Sequence, residues 1–289
     1  MIDSDAFGFM AHGGGSLNVL DGTVVRSKFA TFLLKAGGVE MNLEHAEIHN
    51  GGVLVQMIDD DDPIVGSNII DGHIVFKHEF REEPGWPSEN GQLSSLLPPR
   101  SMAPGGVDMG EMGGPGGPGG PGGPGGPGGP GGDGFDPTMA PEGVMRIGDT
   151  NTLSATEITL RCDIFNGTGY YGLKPMKLAV KLGAGAVLIG AISATETRHV
   201  DENGRQNTHF TIHEFYYLGH VENRPYYNGG NDVSVELSDG AVWNVTGAGI
   251  LTSLTVGEGC RLIGTVSVDG KTIHPEPGVR YEGRIQVKP

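Results

Sequence analysis

The densest charge in the chain is a run of four consecutive aspartates. Neighbouring carboxylates supply the oxygen ligands that a hard cation such as Ca²⁺ prefers. The run lacks the interleaved glycine of an EF-hand loop, so a solvated acidic turn is the alternative interpretation. The candidate Ca²⁺ ligands are Asp59, Asp60, Asp61 and Asp62, and the sequence indicates no other cofactor.

A second candidate site is a group of aromatic residues interspersed with the amides of Asn223 and Asn228. Aromatic faces stack on apolar faces of ligands and amides bind hydroxyls, so the group predicts glycan binding. The alternative is that the rings pack over the fold and their hydroxyls find partners at the surface. The aromatic residues are Tyr216, Tyr217, Tyr226, Tyr227 and Trp243.

Two histidines four residues apart, His209 and His213, are spaced as in a zinc protease. Such an enzyme requires Glu directly after the first His, on a helix, whereas this chain has Phe210 in a segment that alternates like a strand. We therefore interpret the pair as solvent-facing. The sequence contains no nucleophile elbow, phosphate-binding loop or dinucleotide fingerprint, and it favours a non-catalytic protein over an enzyme.

The elements that position these residues are predicted to be β-strands. The chain contains 52 Gly in 289 residues, an excess that indicates many tight turns. Segment 233–237 alternates apolar and polar residues, and the alternation continues through Ala241, Trp243 and Val245. A period of two with β-branched residues is typical of strands, and Asn-Gly or Asp-Gly pairs follow at short intervals. We expect an all-β fold.

A weak internal repeat refines this expectation. Segments beginning at Val180, Val235 and Leu254 each have two apolar residues two positions apart and then a turn closed by Gly. From Leu237 to Val256 the step is 19 residues, and the 55 residues from Leu182 to Leu237 are read as three such steps. A period of this size predicts a solenoid, with a β-sandwich or jelly roll as the alternative. The predicted inward residues are Val19, Leu43, Ile48, Val53, Val55, Ile158, Leu160, Ile164, Val180, Leu182, Val235, Leu237, Val245, Leu254 and Val256.

On these segments, above all 23–56 and 233–268, the chain resembles the right-handed parallel β-helix modules of bacterial cell-surface and adhesin-like proteins. The resemblance implies a secreted or surface-anchored protein with a structural, adhesive or glycan-facing role. Region 197–232 does not keep the repeat, and a glycine-rich insertion interrupts it.

That insertion contains six Pro-Gly-Gly triplets, which form a collagen-like tract. Three interpretations remain open: a flexible or polyproline spacer, an inter-chain bundle, and a surface loop packed on the fold. If the tract is ordered, backbone hydrogen bonds between extended segments must order it, and it then becomes an assembly device. The candidate assembly residues are Pro115, Pro118, Pro121, Pro124, Pro127 and Pro130.

Composition limits the partners. A formal net charge of −16 opposes binding to nucleic acid and to anionic membrane surfaces. The longest apolar run, 186–192, is too short to span a bilayer, which needs about 20 residues.

The two cysteines, Cys162 and Cys260, are interpreted as small buried residues, with one disulfide between them as the alternative. The first residues have no secretory signal, so either the protein is cytoplasmic or the natural chain begins upstream of residue 1, and we expect the second.

The sequence thus predicts a right-handed parallel β-helix in two parts, 1–98 and 141–289, separated by a low-complexity insertion, 99–140. The predicted function is that of a structural, non-catalytic module of a bacterial surface protein or extracellular filament. We expect an extracellular or cell-surface location, with self-association or binding to other surface proteins. The alternative is a glycan-binding or polysaccharide-cleaving β-helix protein.

Overall fold

The all-β expectation is confirmed. In a computed structural model, every regular element of the described residues is a β-strand and none is a helix. For 67–70, 73–76 and 198–199 only the backbone is described. The described residues are 1–5, 7–11, 14–35, 37–58, 67–70, 73–76, 149–169, 175–199 and 221–289.

The strands are short and follow one another closely. In chain order they are β1 (Ile2–Ser4), β2 (Phe7–Ala11), β3 (Gly15–Val19), β4 (Val24–Ser27), β5 (Ala30–Leu34), β6 (Val39–Glu44), β7 (Glu47–His49), β8 (Val53–Met57), β9 (Ser67–Ile70), β10 (His73–Phe76), β11 (Thr150–Thr156), β12 (Thr159–Arg161), β13 (Asp163–Asn166), β14 (Lys177–Leu182), β15 (Val187–Gly190), β16 (Ile192–His199), β17 (Val221–Pro225), β18 (Val233–Leu237), β19 (Val242–Val245), β20 (Gly249–Val256), β21 (Arg261–Ile263), β22 (Thr265–Val268), β23 (Lys271–Ile273) and β24 (Arg280–Lys288).

Sets of three consecutive strands, which we call rungs, repeat along the chain. One rung is β3, β4 and β5, and the next is β6, β7 and β8. The first strands of successive rungs pair in parallel in a nine-stranded sheet, and the third strands pair in parallel in a six-stranded sheet. The second strands form a three-stranded sheet, β1-β4-β7, and a four-stranded sheet, β12-β15-β19-β21. Each of the four rungs that begin at β3, β6, β11 and β14 therefore contributes one strand to each of three positions.

The register agrees with the internal repeat. Leu182 is the lateral partner of Leu237, and Leu237 is the partner of Val256. The interpretation of the 55 intervening residues as three steps is wrong, because Leu182 and Leu237 lie on adjacent strands. The chain is long here because it leaves the parallel pattern after β16 and returns through β17, which pairs with β16 in antiparallel orientation.

A tight turn follows the first strands β14 and β18. The amide of the residue after the turn glycine donates to a carbonyl three residues earlier, as in Ala186 to Gly183 at 3.1 Å and Ala241 to Ser238 at 3.0 Å. Gly185 and Gly240 have φ values of 64° and 80°, which disfavour a side chain. At these two turns glycine therefore sets where one strand ends and the next begins, whereas after β6 and β11 the residue with positive φ is His45 or Glu157.

The core lies between the nine-stranded and six-stranded sheets and the two sheets of second strands, on the inward side of the rungs. Of the predicted inward residues, all are buried except Ile48 and Val53, which are partly exposed. Ile48 lies on β7, at the edge of the three-stranded sheet. Val53 is the first residue of β8, where the pairing with β13 shifts register at Asp163. One exception therefore lies on an edge strand and the other beside a register shift.

The two strand-rich segments of the sequence belong to one structure. All described residues fall within a compact unit comprising 1–99 and 147–289, and residues 100–146 lie outside the described part. Strand β11 pairs in parallel with β6 although the insertion separates them. The buried amide oxygen of Asn151 accepts a 2.9 Å hydrogen bond from the Val39 amide, 112 residues earlier. The parallel register thus continues across the insertion.

At its C-terminal end the nine-stranded sheet changes orientation. Strand β24 pairs antiparallel with both β20 and β22, and β22 and β23 form a hairpin. The hairpin turn places Asp269 at φ 49° and Gly270 at φ 78°, as the Asp-Gly signal requires. The antiparallel strands cover the edge that the last parallel strand, β20, would otherwise expose.

Candidate functional site

Several predicted site residues lie outside the described residues, so their predictions stand untested. These are the aspartates 59–62, the histidines 209 and 213, the tyrosines 216 and 217, and the six prolines of the collagen-like tract. Tyr226, Tyr227 and Trp243 are described, together with the amides near them.

Trp243 is a core residue and offers no ring face to a sugar. Its side chain is 0% exposed and lies on the inward row of the four-stranded sheet, where its lateral partners are Leu188 and Leu262. The indole N–H donates a 2.9 Å hydrogen bond to the Gly190 carbonyl. The glycan-stacking role predicted for this residue is therefore replaced by a packing role, because burial removes the ring from solvent.

The two described tyrosines are also turned toward the protein. Tyr226 is 3% exposed, and Tyr227 packs partly buried against the core. The Tyr227 hydroxyl donates a 2.8 Å hydrogen bond to the Asp232 carboxylate. Burial first, and then the hydrogen bond and charge of Asp232, raise the pKa of Tyr227 well above its usual value. The rings of Tyr226 and Tyr227 therefore pack against the fold, as the alternative interpretation of the sequence expected.

A buried amide network holds the segment that carries these tyrosines. The Asn231 amide nitrogen lies 3.2 Å from the carbonyl oxygens of Asn166, Thr195 and Tyr226. Asn166 in turn donates to the carbonyl of Met176 at 2.7 Å. Because both asparagines are 0% exposed and bonded to backbone carbonyls, they join β13, β16 and the segment after β17.

A second network links three strands through Asn223 on β17. Its amide oxygen accepts hydrogen bonds from Thr197 at 2.7 Å and Thr195 at 3.2 Å, both on β16. Its amide nitrogen donates to the Gln56 side chain on β8 at 2.8 Å. We call Gln56, Thr195, Thr197 and Asn223 the amide clamp. The amides expected to recognise hydroxyls are thus satisfied within the protein.

Sequence reasoning missed Gln56, Asn166 and Asn231 as functional positions. A signal was available for Asn166, because it occupies an apolar phase of its strand, two residues after the predicted inward residue Ile164. A polar side chain at such a position must find a buried partner, since an unsatisfied one is costly. The two amide networks fix the path of the backbone, because their donors and acceptors are already paired within the protein.

One open depression lies on the surface near the first strands. Charges of both signs line it, and the Ser27 hydroxyl at its wall is buried without a hydrogen-bond partner within the described part of the chain. The His49 ring contacts the Glu47 carboxylate on the same strand. The lining residues are Asp3, Ser4, Asp5, Arg26, Ser27, Lys28, His49 and Asn50.

The two cysteines are free thiols. Cys162 is buried as expected, and Cys260 is only partly buried. Burial raises the pKa of the Cys162 thiol to about 12, although a hydrogen bond from Asn50 opposes the shift. Among the described residues, no group of three or more His, Cys, Asp or Glu side chains is placed to hold a metal ion.

Comparison of the chain with known protein families, with curated proteins and with solved structures finds no match. In the described ranges, no helix has the length and apolar character needed to cross a bilayer.

Proposed function

We propose that the chain is a right-handed parallel β-helix module with a structural, non-catalytic role in a bacterial surface protein or an extracellular filament. The observation that carries this proposal is the lateral register, in which equivalent inward residues of successive rungs lie side by side. Val180, Val235 and Leu254 form one such row, and Leu182, Leu237 and Val256 form the next.

The use of the polar residues also supports a structural role. The hydrogen bonds of the amide clamp and of the Asn166 and Asn231 network join strands of this chain to one another. Such fully satisfied networks fix one arrangement of the backbone. A stiff scaffold needs that property. We propose that the protein acts outside the cell or at its surface, in association with copies of itself or with other surface proteins.

Glycan binding remains the competing function from the sequence, but it has lost two of its five aromatic residues. Tyr226 and Trp243 are buried and cannot stack on a ligand without local unfolding. Tyr216 and Tyr217 lie outside the described residues. We therefore favour the structural role.

Electron microscopy of the purified chain over a range of concentrations tests the proposal. Fibres, or assemblies that grow with concentration, are the expected result for a module of a surface protein or filament. A thermal-shift screen against polysaccharides is run in parallel, with Tyr227→Ala as the matched variant. Compact monomers that a polysaccharide stabilises, and that lose this response in the variant, would refute the structural role in favour of glycan binding.

A further inference from the structure

We draw no further inference here: the strongest candidate, the N-terminal end of the stacked rungs, where the inward side chains of Ile2, Phe9 and Leu17 are partly exposed on the terminal strands β1, β2 and β3, is an apolar surface for which nothing in the described part of the structure shows what covers it.

Discussion

Truncation of Leu237 tests the lateral register on which the fold depends. Its side chain is 1% exposed and lies between Leu182 on one neighbouring strand and Val256 on the other. Leu→Ala at such a position costs about 3 kcal/mol, from lost transfer energy and the cavity left behind. For a chain of this size, that corresponds to a fall of about 6–12 °C in Tm. The adjacent outward Glu236→Ala is expected to change stability by less than about 0.5 kcal/mol.

A double-mutant cycle then distinguishes lateral contact from mere burial. Leu182→Ala and Leu237→Ala share one cavity, so the double variant should lose at least about 0.5 kcal/mol less than the sum of the single losses. Leu34→Ala is the reference, because Leu34 lies on β5 and its rung is four strands, or roughly 19 Å, from that of Leu237. Urea unfolding followed by circular dichroism measures all five variants. Strict additivity for Leu182 with Leu237 would refute the register, whereas additivity with Leu34 is expected.

Three further predictions concern single positions. Gly190→Ala should abolish the folded state, because the added Cβ would lie 1.9 Å from the Cys162 carbonyl oxygen. Gly15→Ala is the control and should leave Tm nearly unchanged, since the space around Gly15 is open. Equal Tm values for the two variants would contradict the close approach at Gly190. In native protein, a thiol reagent should modify Cys260 before Cys162, and rapid modification of Cys162 at pH 8 would refute its burial. Because the pKa of the Cys162 thiol is raised in the folded state, the stability gained by keeping the thiol protonated is complete below pH 9 and is lost as pH rises toward 12. Asn223→Ala should cost about 1–3 kcal/mol and speed amide exchange in β16 and β17, since it leaves buried partners unsatisfied; unchanged exchange would argue against the amide clamp.

Much of the local structure could be predicted from residue patterns. Alternation in 233–237 placed Val235 and Leu237 inward, and Asp-Gly pairs marked turns, because both signals act over a few residues. The same alternation placed Trp243 on the inward side of its strand, so its burial was predictable even though its ring chemistry suggested a ligand.

Long-range features could not be predicted in this way. The pairing of β14 with β18 depends on the chain between them leaving the rung pattern, and no local signal gives the length of that departure. The antiparallel return of β24 has the same origin, since an extended segment pairs equally well in either direction until tertiary contacts choose. The partners of Asn223 lie on β8 and β16, and sequence spacing alone does not identify them.

The pairing of β6 with β11 has a consequence for how such a chain tolerates growth. Closing a connection of about 90 residues rather than about 10 costs only about 2 kcal/mol more, because loop entropy rises with the logarithm of length. The bond between Val39 and Asn151 shows that the flanking rungs keep their register across the junction. The connection after β8 is therefore a suitable site for inserting a foreign domain. We expect such an insertion to leave the packing of the core unchanged.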